Sequence, residues 1–216
     1  MKISAVIFDL NGTILEDEDE YGKAFNKVLK SLGIDSKTEY PQEKGIGVKE
    51  NWDIFIKKYS INTGKTPFIL ANETQEAYLQ TIGEVTVRPG FDEFIDNLKD
   101  SGVEVALATS NTWEQTDKIL DITNLHDLFD VVTTSEEVAF NKPDPDIFTL
   151  TADKLGVERA NCLVIEDSPA GVEAAHRAGM KAVAIAGSEK DLATLSKADF
   201  TVEGFSEITP QVVDQL

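Results

Sequence analysis

Cysteine is almost absent from this chain. Cys162 is the only one among 216 residues, so no intrachain disulfide can form. Its setting in the run NCLVIED reads as a small buried strand residue rather than a nucleophile. No stretch approaches the roughly 20 apolar residues that a membrane-spanning helix needs, and the N-terminus carries no signal-peptide pattern. Positive charge is scarce: 20 Lys and Arg stand against 39 Asp and Glu, a formal net charge of -19. That balance argues against a nucleic-acid backbone as partner. It leaves room for a small anion in a locally positive pocket. The two histidines, His126 and His176, have no metal-ligand spacing. These shortages lead to the expectation of a soluble, cytoplasmic protein, plausible as a monomer, with neither nucleic acid nor membrane as partner.

What is present is an ordinary globular composition, 41% apolar and 27% charged. The length suffices for one large domain, or for one with a smaller insert. Apolar runs stand at Ile3–Asp9, Val103–Ser110, Asn161–Asp167 and Ala182–Gly187, with a shorter one at Phe129–Thr134. They do not alternate cleanly with polar residues, so both faces are expected to be buried, as in a parallel sheet. Helical patterns separate them. Phe91, Phe94, Ile95 and Leu98 share a face between Pro89 and Gly102; Phe148, Ala152 and Leu155 precede Gly156; Val172, Ala175 and Ala178 precede Gly179. The fold class expected is α/β, a Rossmann-like parallel-sheet core. Residues 16–86 read differently, as apolar stripes (Tyr21, Phe25, Val28, Leu29, Leu32; Trp52, Phe55, Ile56, Tyr59; Phe68, Ala71, Tyr78, Leu79, Ile82) without a strand signal. This predicts an inserted helical cap over residues 16–86, on a core of residues 1–15 and 87–216. The acidic run EDEDE, Glu16–Glu20, reads as a solvated loop or first helical turn.

Chemistry gathers where the apolar runs end. In VIFDLNGTIL, Asp9 either binds a cation, attacks an electrophile or satisfies the next turn, while Gly12 and Thr13 allow a tight loop whose N–H groups can face phosphate. Thr109, Ser110 and Asn111 offer hydroxyl and amide donors, or a helix cap. Lys142 lies in NKPDPDIF, where Pro143 and Pro145 restrict the loop that aims it. Glu166 and Asp167 are adjacent acids at a strand end, costly unless solvated or paired with a cation. Oxygen ligands from Asp9 and Asp167 suit Mg²⁺. In KGIGVKENW, Lys49 is a candidate for a remote substrate anion, and Trp52 belongs either to the pocket or to the cap core.

Taken in order, DLNGT, ALATSN, NKPDPDIF and IEDSPAG resemble the motifs of the haloacid dehalogenase superfamily, in its phosphatase and β-phosphoglucomutase-like branch with a helical cap after the first strand. The resemblance covers essentially the whole chain. It implies Asp9 as the nucleophile, and Mg²⁺ held by Asp9, the Asn11 carbonyl and Asp167, with Glu166 helping directly or through water. Thr109, Asn111 and Lys142 would surround the phosphoryl group, with Ser110 beside them. Asn11 departs from the pattern, because the usual second aspartate protonates the leaving alcohol. Loss of such proton transfer costs about 10²–10⁴ in rate. The expectation is therefore Mg²⁺-dependent hydrolysis of a small phosphorylated metabolite, of the sugar or polyol type, through an aspartyl phosphate and impaired by Asn11. A sugar phosphomutase and a non-catalytic phosphometabolite-binding protein are the alternatives.

Overall fold

The computed structural model describes residues 3–209 and 212–213. The apolar runs form strands, numbered in chain order: β1 (Ala5–Phe8), β2 (Leu15–Glu16), β3 (Thr86–Val87), β4 (Glu104–Ala108), β5 (Val131–Thr133), β6 (Cys162–Glu166), β7 (Lys181–Ile185) and β8 (Phe200–Val202). The helices are α1 (Glu18–Ser31), α2 (Val48–Lys58), α3 (Pro67–Leu79), α4 (Phe91–Asp100), α5 (Trp113–Thr123), α6 (Asp146–Leu155), α7 (Pro169–Arg177) and α8 (Glu189–Thr194).

A six-stranded sheet runs in the order β5-β4-β1-β6-β7-β8, and its pairings are parallel. Both faces are covered, which explains the uninterrupted apolar runs. Along β1, Val6 and Phe8 join one hydrophobic cluster, while Ala5 and Ile7 join the other. Phe8 meets Phe91 and Phe94 of α4 edge-on at 5.6 and 6.0 Å, and burying each such ring is worth roughly 1.5–3 kcal/mol.

Between β1 and β4 the chain makes the cap helices. α1 and α2 both pack on α3. Trp52 is fully buried there, with its indole N–H donating to Thr74 Oγ1 at 2.9 Å, so it belongs to the cap core. β2 and β3 form a two-stranded antiparallel ribbon, Leu15 opposite Val87 and Glu16 opposite Thr86, through which the chain leaves the core and returns. Arg88, just past the ribbon, donates to the Gly12 and Thr13 carbonyls at 2.7 and 2.9 Å. No helix among the described residues is long and apolar enough to cross a membrane.

Three features differ from the sequence expectation. β8 and the ribbon lie outside the predicted strands. The capping residue near Ser110 is Thr112, which forms a capping box with Gln115 at the start of α5. The run Glu16–Glu20 is not simply solvated: Asp17 and Glu20 are buried.

Candidate active site

The order of strands reverses at β1, and loops leaving the carboxyl ends of β4 and β6 flank the one leaving β1. Asp9 directly follows β1, its N–H donating to the Ile165 carbonyl at 3.0 Å. Thr109 directly follows β4, and Glu166 is the last residue of β6. Lys142 reaches in from the loop before α6. Its buried ammonium lies 2.5 Å from Asp9 Oδ1, 2.6 Å from Glu166 Oε1 and 3.3 Å from the Ala108 carbonyl. Glu166 Oε2 accepts from the N–H groups of Asp167 and Ser168, both at 3.0 Å, and from Ser168 Oγ at 2.8 Å. Thr13 Oγ1 donates to Asp167 Oδ1 at 3.3 Å. Gly12 makes this closeness possible: its φ is +79°, and a Cβ there would sit 2.2 Å from Asp167 Oδ2.

Three carboxylates therefore gather around one ammonium, which pairs with Asp9 and Glu166 and leaves Asp167 without a counter-charge from it. Burial pushes the Asp9 carboxyl up, with Lys142 opposing. Burial also raises Asp167 well above the usual carboxylate range, reinforced by the charges of Glu166 and Asp9. Burial alone would lower Lys142, but Asp9 and Glu166 together lift it. The surplus negative charge and the hard oxygen donors fit a divalent cation. Asp9, Glu166 and Asp167 each present an oxygen, all within 4.8 Å of one another. Asp9 Oδ2 and Asp167 Oδ2 carry no hydrogen bond among the described residues, whereas both Glu166 oxygens are engaged. Glu166 thus orients Lys142 and the loop after β6.

Asn11 is held on both sides of its amide. Its Nδ2 donates to Asp17 Oδ2 at 2.5 Å, and its Oδ1 accepts from Asn111 Nδ2 at 2.7 Å. Asp17 also accepts from the Gly12 N–H at 2.9 Å and from the Tyr78 hydroxyl of α3 at 2.6 Å. Burial pushes its carboxyl up to about 7, against the hydrogen bonds from Tyr78, Asn11 and Gly12. The structure overturns the expectation that Asn11 leaves the protein impaired or silent. The aspartate assigned as nucleophile, Asp9, is intact and clustered with Glu166 and Asp167, and Lys142 is seated on it.

A cavity above Asp9 is lined from the core by Asn11, Thr109, Ser110 and Asn111, and from the cap segment by residues including Glu18, Gln42 and Lys44. Of the sequence candidates, the structure does not bring Lys49 here. Lys49 is half exposed on α2 and pairs with Asp53 one turn on, at 3.0 Å, because the cap turns its helix face outward. Sequence reasoning missed Asp17, Glu18 and Gln42. The one signal that points to Asp17 and Glu18 is their position between the buried Leu15 and the stripe that begins at Tyr21.

Residues 3–179 match the haloacid dehalogenase-like hydrolase family. The chain belongs to that family. Its cap helices, inserted between the first sheet strand and the next, place it in the phosphatase and β-phosphoglucomutase-like branch. The protein CbbY of Rhodobacter capsulatus is 32% identical over 230 residues, spanning 100% of both chains. Hexitol phosphatase B of Escherichia coli K12 is 26% identical, over 96% of this chain and 95% of that one. A crystal structure of a CbbY mutant from Rhodobacter sphaeroides in complex with xylulose-1,5-bisphosphate has a TM-score of 0.82 at 25% identity, covering 95% of this chain and 96% of that one.

Proposed function

We propose that this protein hydrolyses small phosphate monoesters of the polyol or sugar type, with Mg²⁺ as its metal and Asp9 as the residue that is transiently phosphorylated. The observation that carries this reading is the Asp9 carboxylate at the end of β1, paired at 2.5 Å with a buried lysine and clustered with Asp167 and Glu166 beneath a cap. Residues 1–15 and 87–216 serve as the catalytic core and 16–86 as the cap. The likeness to a hexitol phosphatase supports the substrate class. A cytoplasmic setting belongs to the same reading, and a single buried free cysteine agrees with it.

Asp9 and Asp167 would hold the metal, with the Asn11 carbonyl as a further ligand. Bound there, Mg²⁺ supplies positive charge against the phosphoryl oxygens and so offsets the repulsion between two anions. Asp9 Oδ2 attacks phosphorus in line with the ester oxygen. The bond to that oxygen breaks, and the departing alkoxide takes its proton from solvent water to leave as the alcohol. Lys142 keeps Asp9 oriented and offsets its charge, while Thr109, Ser110 and Asn111 present donors at the cavity floor. Water then attacks the phosphorus of the aspartyl phosphate, freeing inorganic phosphate and restoring the carboxylate. A closed cap restricts water until the alcohol has gone.

The test is phosphate release from a panel of polyol and sugar monophosphates, with Mg²⁺ and with a chelator. Turnover should require the metal and fall to background in Asp9→Asn. Release by Asp9→Asn at the starting rate would overturn the assignment.

A further inference from the structure

The cap wall of the cavity holds two buried oxygens with nothing to bond. Glu18 Oε2 and Gln42 Oε1 are both shielded from solvent and have no hydrogen-bond partner. Such atoms are rare in folded proteins, because leaving a buried polar atom unpaired is costly. Both residues line the cavity that opens onto Asp9, and they also border the adjoining cavity that reaches Asp167 and Asp191. The rest of each side chain shows why these atoms are the free ones. Gln42 Nε2 is already used, donating to the Glu18 carbonyl at 3.4 Å. Lys44 Nζ stands 3.7 Å from Glu18 Oε2, beyond hydrogen-bond reach, and is shared with Asp191 at 3.8 Å.

The chemistry of the two atoms restricts what can complete them. A carboxylate oxygen and an amide carbonyl oxygen are acceptors, so the missing partner must donate. A sugar or polyol hydroxyl donates. A second phosphate is an acceptor carrying negative charge, and it would face a wall where the charges of Glu18 and Glu43 outnumber that of Lys44. Asn51, also in this wall, is not available to help such a group. Its Oδ1 accepts from the Glu43 N–H, and its Nδ2 donates to the Glu43 and Gly47 carbonyls.

We propose that Glu18 and Gln42 are specificity-determining residues that accept hydrogen bonds from hydroxyls on the part of the substrate distal to its phosphate, and that this wall selects polyhydroxylated monophosphates over bisphosphates. The inference rests on the phosphomonoesterase reading above and narrows its substrate. It also separates this chain from the CbbY mutant structure, whose bound ligand is a bisphosphate.

The test compares a hexitol 6-phosphate, the corresponding hexitol 1,6-bisphosphate and p-nitrophenyl phosphate on the starting protein, Glu18→Leu and Gln42→Leu. On the starting protein, kcat/KM should favour the monophosphate over the bisphosphate by about 100-fold. Losing a hydrogen bond to a charged acceptor is worth about 10- to 100-fold. Glu18→Leu, which removes the acceptor and its charge together, should therefore raise KM for the hexitol phosphate by that factor relative to KM for p-nitrophenyl phosphate, and improve the bisphosphate. Gln42→Leu should move the same ratio in the same direction by a smaller factor. A purely structural role would weaken all three substrates together and leave the ratios unchanged, which overturns the proposal. So does a starting protein that prefers the bisphosphate. Calorimetric binding of the two hexitol phosphates to Asp9→Asn reads the same discrimination without turnover. Absence of hydrolysis would then count against the phosphatase reading, and equal or inverted binding against this one.

Discussion

At 2.5 Å from Asp9 and 2.6 Å from Glu166, the Lys142 ammonium is shared by two buried carboxylates. Lys142→Met would leave both without a counter-charge, a change that typically costs about 3–5 kcal/mol. The loss should be larger at about pH 8 than at about pH 5, where Asp9, already raised by burial, can take up a proton instead. Urea unfolding at the two pH values measures it, and an equal loss at both would count against a charge-based role. Asp17 offers a second case. Its carboxylate ties the Gly12 N–H and the Asn11 amide to the cap through Tyr78, whose hydroxyl lies 2.6 Å away. Tyr78→Phe removes one donor from a buried acid and should cost about 1–3 kcal/mol in the same measurement. A loss within error would show that the bond contributes nothing. Asp9, Thr109, Lys142 and Asp167 were legible because each ends a strand or sits in a constrained loop. Asp17 and Glu18 were not, since five acids in a row carry no pattern telling a solvated carboxylate from a seam-buried one. That distinction is made by the cap's tertiary packing.

The elements most legible in the sequence were those with a long period. The stripes beginning at Tyr21 and Trp52 gave α1 and α2, and the doubly buried runs gave β1, β4, β6 and β7. The β2–β3 ribbon pairs two residues with two, too few for any alternation to show, and β8 has three residues in a polar setting. In the loop between α1 and α2, Gly45 is a point where the cap touches the core. Its φ is +75°, and a Cβ there would lie 1.9 Å from Ser168 Oγ. Gly45→Ala should therefore hold the cap off the core while leaving each part folded. Misplacing a closing element by about 1 Å can cost about 10²-fold in rate, so kcat/KM should fall on that scale with little change in the thermal midpoint. Unchanged kinetics would show that closure does not depend on this contact.

For the molecule as a whole, the buried carboxylates decide how stability follows pH. Asp17 is raised from 3.8 to about 7, and Asp9 and Asp167 are raised by burial as well. Without metal, the folded protein then binds more protons than the unfolded chain between about pH 4 and about pH 7, so stability falls as pH rises through that window. A cation favours the ionised forms of Asp9 and Asp167. Adding Mg²⁺ should raise the thermal midpoint at about pH 7 and change it little near pH 4. Equal shifts at both ends would place the metal away from these residues. The same carboxylate cluster underlies the proposed catalysis, whose central claim is that Asp9 is the residue transiently phosphorylated. The direct measurement is rapid acid quench of the protein mixed with a phosphate-labelled hexitol phosphate and Mg²⁺, followed by peptide mapping. Label that resists acid, is released by hydroxylamine and maps to the peptide containing Asp9 is the expected result. Phosphate release with no label on Asp9 at any time in the burst would contradict it.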